Sequence, residues 1–169
     1  KVVLFVGRFV FQKNLPLLIR AFALALKRQP MTLVLVGDGE ERHSVTALTA
    51  QLGISESVKL VAPCDPVPWY KAADFFCLPS RYEGLGMVAI EAQTAGLKCI
   101  LSDAVPKEAD ITGRCVFLPP DEQRWADELC KPYEHFYDCR KAVESAHYDI
   151  KLEAGRLTDF YKRALGGKA

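Results

Sequence analysis

A chain of 169 residues, half of them apolar and a quarter charged, can form one domain with a full hydrophobic core. Its formal charge of +1 argues against nucleic acid or an acidic surface as a partner, and no apolar run reads as a bilayer-spanning helix or a signal peptide. Lys1 leads straight into a strand-like run, so the fold is expected to begin without a leader, as a fragment of a longer chain.

Val2 to Val6 is a continuous β-rich run, the pattern of a strand buried on both faces, and Gly7-Arg8 ends it. Phe9 to Lys13 reads as a loop, with Asn14 as N-cap of a helix running to about Gln29, where Pro30 blocks extension. Leu33 to Val36 is a second buried strand, closed by Gly37-Asp38-Gly39. A helix over Arg42 to Leu52 follows, with Gly53 at its C′ position. Val58 to Val61 gives a third strand, Trp69 to Ala73 a short helical turn after a proline-stiffened loop, and Phe75 to Leu78 a fourth strand. Beyond the stretch SRYEGLG, Met87 opens a helix that ends near Gly96. Lys98 to Ser102 is strand five, Val105 to Ala109 a short helix, and Val116 to Leu118 strand six. Three helical segments close the chain: Glu122 to Lys131, Asp138 to Ala146, and an amphipathic one over Ile150 to Leu165.

Strands alternating with helices at this spacing predict an α/β fold: a doubly wound, Rossmann-like, parallel six-stranded sheet with helices on both faces, as one domain over 1–169. Ligands of such sheets bind beyond the carboxyl ends of the strands, at the switch point, which directs attention to the loops after strands one to four.

Strand, glycine-containing loop, then helix is the local design of a phosphate site. N–H groups at a helix start are unpaired and partly positive, and glycines let an anion approach them. Arg8 and Lys13 share one strand-end loop and together match a diphosphate, although two ordinary solvated cations would read the same way. Ser80-x-x-Glu83 fits a helix capping box, but Gly84 and Gly86 would then weaken the first turn, so Glu83 also reads as facing a polar ligand at the mouth of the loop. Glu91 falls one turn inside the helix among Val88, Ala89, Ile90 and Ala92. There it needs a partner: a ribose diol, a protein donor, or water on an exposed helix face. Gly37-Asp38-Gly39 is a weak signal that a turn and helix start explain equally well. The six cysteines and three histidines show no metal or redox spacing, which suits a reduced compartment. No Walker loop, nucleophile elbow or Asp-x-Asp motif is present.

Taken together, Glu83-GLGMVAI-Glu91, Gly7-Arg8 with Lys13-Asn14, and the strand ending in Gly37-Asp38-Gly39 resemble the C-terminal, donor-binding half of a retaining glycosyltransferase of the GT-B fold, group 1 family. The resemblance covers Val2 to about Leu165. It implies that Gly7, Arg8 and Lys13 hold the diphosphate of a UDP- or GDP-linked sugar. The backbone N–H groups of Leu85, Gly86, Met87 and Val88 would share that task, with Gly84 and Gly37 beside them. The base would lie against Val61, Ala62 and Pro63, the ribose hydroxyls on Glu91, and the donor sugar on Glu83, the catalytic residue. It further implies metal-free hexosyl transfer with retention to a glycan, lipid or other acceptor, in polysaccharide or glycoconjugate biosynthesis. The protein would be cytoplasmic or lie on the cytoplasmic face of a membrane, with peripheral membrane association arising from the other half. An N-terminal acceptor domain would pack on the last helix, and without it the fragment would bind donor weakly and turn over little.

Two other readings stay open. A non-catalytic nucleotide- or partner-binding module of Rossmann-like type would keep this fold without needing both glutamates. One half of a nucleotide-sugar epimerase shares the architecture.

Overall fold

The computed structural model describes residues 1–133 and 139–166. Six parallel strands form one sheet: β1 (Val2–Val6), β2 (Thr32–Val36), β3 (Val58–Val61), β4 (Phe75–Leu78), β5 (Lys98–Ser102) and β6 (Val116–Leu118), in the order β3-β2-β1-β4-β5-β6. The register aligns Val3 with both Leu33 and Phe75, so β1 is central, and chain order reverses between β1 and β4. Residues of β1, β2, β4 and β5 are almost wholly buried, which is why these runs carry no polar alternation.

The helices are α1 (Leu15–Leu26), α2 (Arg42–Gln51), α3 (Val67–Ala72), α4 (Met87–Thr94), α5 (Glu122–Cys130), α6 (Arg140–Ser145) and α7 (Ile150–Ala164). Right-handed crossovers put α1 and α2 on one face, where α1 packs against α2 and α5, and α3 and α4 on the other. Phe5, Phe9, Phe22, Phe75, Phe76 and Trp125 are fully buried in the core. The indole N–H of Trp125 donates to the Pro119 carbonyl at 2.9 Å, and Asp121 caps α5 by accepting from the N–H groups of Gln123 and Arg124.

Several boundaries differ from the sequence reading. Residues Phe11–Lys13 form a 3₁₀ turn rather than open loop. Asn14 does precede α1, but it sits in the left-handed region (φ 49°) and its side chain makes no capping bond; what the position uses is asparagine's tolerance of that conformation. The helix α1 ends at Leu26, three residues short of Gln29, and only Lys107–Ala109 of the segment from Val105 are helical, as a 3₁₀ turn. The turn placed at Trp69 starts earlier, at Val67. Asp138, given as the start of the penultimate helix, lies outside the described residues, as does His135; that helix runs over Arg140–Ser145. The last helix, α7, spans the expected segment, but none of its residues is buried.

Packing requires glycine at position 37. A Cβ on Gly37 (φ 145°) would lie 1.9 Å from the Gly7 carbonyl oxygen, so β1 and β2 can end side by side only with glycine there.

Candidate functional site at the carboxyl edge of the sheet

The loops after β1 and β4 flank the switch point and are fastened to each other. The Arg81 N–H donates to the Gln12 carbonyl at 2.8 Å, and the Gln12 side-chain amide donates back to the Tyr82 carbonyl at 2.9 Å. The Arg81 guanidinium stacks over the Phe11 ring at 4.3 Å. Beneath this clasp, Lys13 Nζ donates to Glu83 Oε1 at 2.5 Å, and Ser80 Oγ donates to the same oxygen at 2.6 Å. The Glu83 side chain is only 8% exposed, and these two donors satisfy the oxygen that water reaches poorly.

This geometry rules out the capping box at Ser80 and Glu83. Ser80 and Glu83 bond to each other side chain to side chain, but they do not cap α4. The N-cap is Gly86, in the left-handed conformation (φ 79°). The pairing also changes the expected division of the cations. Lys13 is joined to Glu83, whereas Arg8 is exposed and has no side-chain partner among the described residues. Arg8, Gly7, Gly37 and Pro63 line a cleft of about 230 Å³ over the ends of β1, β2 and β3. Val61, at the end of β3, uses its carbonyl to accept from the Gly37 N–H at 2.9 Å; Ala62 is exposed, and of the three expected base contacts only Pro63 lines the cleft. The Gly37-Asp38-Gly39 turn thus has a structural explanation in strand closure, and Gly37 reaches the cleft as well.

Gly84 is exposed with open space around it. The backbone N–H groups of Leu85, Gly86, Met87 and Val88 have no acceptor among the described residues; the first bond of this turn runs from the Ala89 N–H to the Gly86 carbonyl at 2.8 Å. Four unpaired donors at a helix start are suited to an anion, and the loop that carries Arg8 and Lys13 is fastened to the loop that leads into them.

Glu91 differs from the apolar setting read from its neighbours. One α-turn presents it on the exposed face of α4, while Ala89, Ile90 and Ala92 point inward. It has a protein partner that sequence reasoning missed: the Tyr70 hydroxyl on α3 donates to Glu91 Oε2 at 2.9 Å. No spacing signal joins positions 70 and 91; the one available hint was that a buried tyrosine needs an acceptor for its hydroxyl. Burial, followed by the nearby Glu91 charge, pushes the Tyr70 hydroxyl far above its usual pKa, so it stays a donor. Glu91, Tyr70, Pro66, Val67 and Lys71 line a cavity of about 530 Å³ between α3 and α4, within the range of small-molecule sites. No group of three or more potential metal-ligating side chains occurs among the described residues.

The doubly wound parallel sheet matches solved GT-B glycosyltransferases, and the chain belongs to the glycosyl transferases group 1 family, whose model matches residues 1–135. Over 181 aligned residues it is 30% identical to the GDP-mannose:cellobiosyl-diphosphopolyprenol alpha-mannosyltransferase of Xanthomonas oryzae, covering 98% of this chain and 48% of that protein. A D-inositol 3-phosphate glycosyltransferase of Corynebacterium jeikeium is 36% identical, over 78% of this chain and 35% of its own length. Among solved structures, the pneumococcal O-GlcNAc transferase GtfA in complex with UDP and GlcNAc superposes with a TM-score of 0.82 at 18% identity, over 98% of this chain and 36% of that one. The chain thus spans no more than about half the length of these relatives.

Proposed function

We propose that this domain binds the nucleotide-diphospho-sugar donor of a retaining, metal-independent glycosyltransferase that moves a hexosyl unit onto a glycan, lipid or other acceptor. The observation that carries the reading is the set of unpaired N–H groups from Leu85 to Val88, framed in sequence by Glu83 and Glu91, with Lys13 bonded to Glu83 and Arg8 exposed on the same β1 loop as Lys13. A diphosphate on that cradle meets four backbone donors and two cations. The departing nucleotide diphosphate is then stabilised by fixed dipoles and charges without a divalent ion. Lys13 has three N–H donors, so it can keep one on Glu83 and turn others to phosphate oxygens. Glu83, anchored by Lys13 and Ser80, is the catalytic contact to the donor sugar. Glu91 takes the ribose hydroxyls, and the base rests against Val61, Ala62 and Pro63, with Gly7, Gly37 and Gly84 leaving room for the ligand. The relatives whose names specify a GDP-mannose donor or a bound UDP support a UDP- or GDP-linked sugar.

An acceptor-binding half, packing on the exposed apolar side of α7, completes the enzyme in this reading and carries any peripheral membrane contact. The site of action is the cytoplasm or the cytoplasmic face of a membrane, and the domain alone is close to inactive. Calorimetric titration with UDP, GDP and their sugars tests the proposal. Saturable binding that ignores magnesium, is lost in Arg8→Ala and is weakened in Glu91→Ala is expected. No heat with any nucleotide would instead favour a module that binds a protein partner.

A further inference from the structure

Tyr70 is 3% exposed, and its ring packs edge-on against Phe76 at 5.9 Å and 62°. A ring held this way fixes the position of its hydroxyl. Glu91 is the opposite case: an exposed carboxylate on a helix surface, with three side-chain torsions to restrain. The Tyr70 hydroxyl lies 2.9 Å from Glu91 Oε2, and its other acceptor, the Val88 carbonyl, is farther at 3.4 Å. Glu91 Oε1 has no protein partner among the described residues, although Glu91 lines the cavity between α3 and α4.

We propose that Tyr70 is a positioning residue: by holding Oε2 of Glu91 it fixes the carboxylate so that Oε1 is left to accept from the vicinal diol of a ribonucleotide, making the site selective for ribo over 2′-deoxyribo ligands. This rests on the nucleotide reading above. One carboxylate oxygen carries two lone pairs, enough for two adjacent hydroxyls once the other oxygen is engaged. A carboxylate free to rotate would first have to be ordered by the ligand, and the diol would contribute correspondingly less to binding. The hydroxyl is not among the groups assigned to phosphate or base, and its bond to the Val88 carbonyl is the longer of its two, so its removal is expected to act chiefly at the sugar.

The test is calorimetry on this chain with UDP, GDP and their 2′-deoxy counterparts. The wild-type protein should prefer the ribo form by about tenfold. Tyr70→Phe keeps the ring and its packing; it should weaken the ribo form about fivefold and leave the deoxy form unchanged, so that the preference nearly disappears. Glu91→Gln should abolish the preference, and adding Tyr70→Phe to it should change nothing further. An unchanged ribo-to-deoxy ratio in Tyr70→Phe overturns the proposal. So does an equal loss for both forms, which marks a structural role, or a Tyr70→Phe effect that persists in the Glu91→Gln background. A wild-type protein that binds no nucleotide at all overturns the donor-site reading itself. A wild-type protein that binds both forms equally overturns the role of Tyr70 and the ribose contact at Glu91, while the donor-site reading stands.

Discussion

Lys13 and Glu83 come from loops seventy positions apart in the chain and meet at 2.5 Å across the switch point. With both side chains largely shielded, removing one partner leaves a charge with poor access to water. Lys13→Met is expected to lower unfolding free energy by about 1–3 kcal/mol in urea denaturation. The double variant Lys13→Met with Glu83→Gln should recover most of that loss, because the stranded charge is gone. The single residues Arg8, Lys13, Glu83 and Glu91 could all be singled out from residue type and loop position. Their partners could not. Ser80 sat in a plausible capping pattern, yet Gly86 takes the N-cap position and frees Ser80 to hold Glu83. Tyr70 gave no signal, since its acceptor lies 21 residues away on another helix.

At the scale of elements, strand ends and helix caps decide where the loops go. Gly37→Ala forces a Cβ against the Gly7 carbonyl at 1.9 Å and keeps an unfavourable positive φ, so β1 and β2 must separate at the site. Thermal or urea unfolding should show a loss of at least about 2 kcal/mol. Asp121 is a working cap with two accepted N–H bonds, and Asp121→Ala should cost about 1 kcal/mol by the same measurement. Strand positions were legible almost to the residue, because buried parallel strands are short unbroken apolar runs between glycine, proline and polar residues. Helix ends were less so. The end of α1 at Leu26 and the 3₁₀ turn at Phe11–Lys13 depend on how the chain must turn to reach the next strand, which local composition does not encode.

Over the whole molecule, two features outside the site make their own predictions. Glu128 is buried under the start of β5. Burial alone would raise its pKa, but hydrogen bonds from Lys131 and Lys98 outweigh that and hold the carboxyl below its ordinary value of 4.5. A depressed folded-state pKa contributes stability that is present above 4.5 and lost as pH falls through the lowered value. Acid unfolding monitored by circular dichroism should therefore steepen below that pH, and Glu128→Gln should flatten this part of the profile. The second feature is α7, whose Ile150, Leu157, Phe160 and Tyr161 are all exposed, as is Leu165 at its C-cap. Since these side chains stay largely exposed, Phe160→Asp should leave the melting temperature within about 2 °C of wild type while reducing self-association in light scattering.

The amino-acid sequence alone determined the order of strands and helices, the parallel doubly wound class, and the loops that follow the strands at the carboxyl edge of the sheet. Each of these follows from local patterns of burial and chain punctuation. Only the tertiary structure decided which side chains share a charge or a proton. The Lys13–Glu83 and Tyr70–Glu91 pairs exist because strand reversal at β1 and β4 and the crossing of α3 over the sheet bring distant positions together. Contacts between remote segments depend on the closed fold, and no local period in the chain records them.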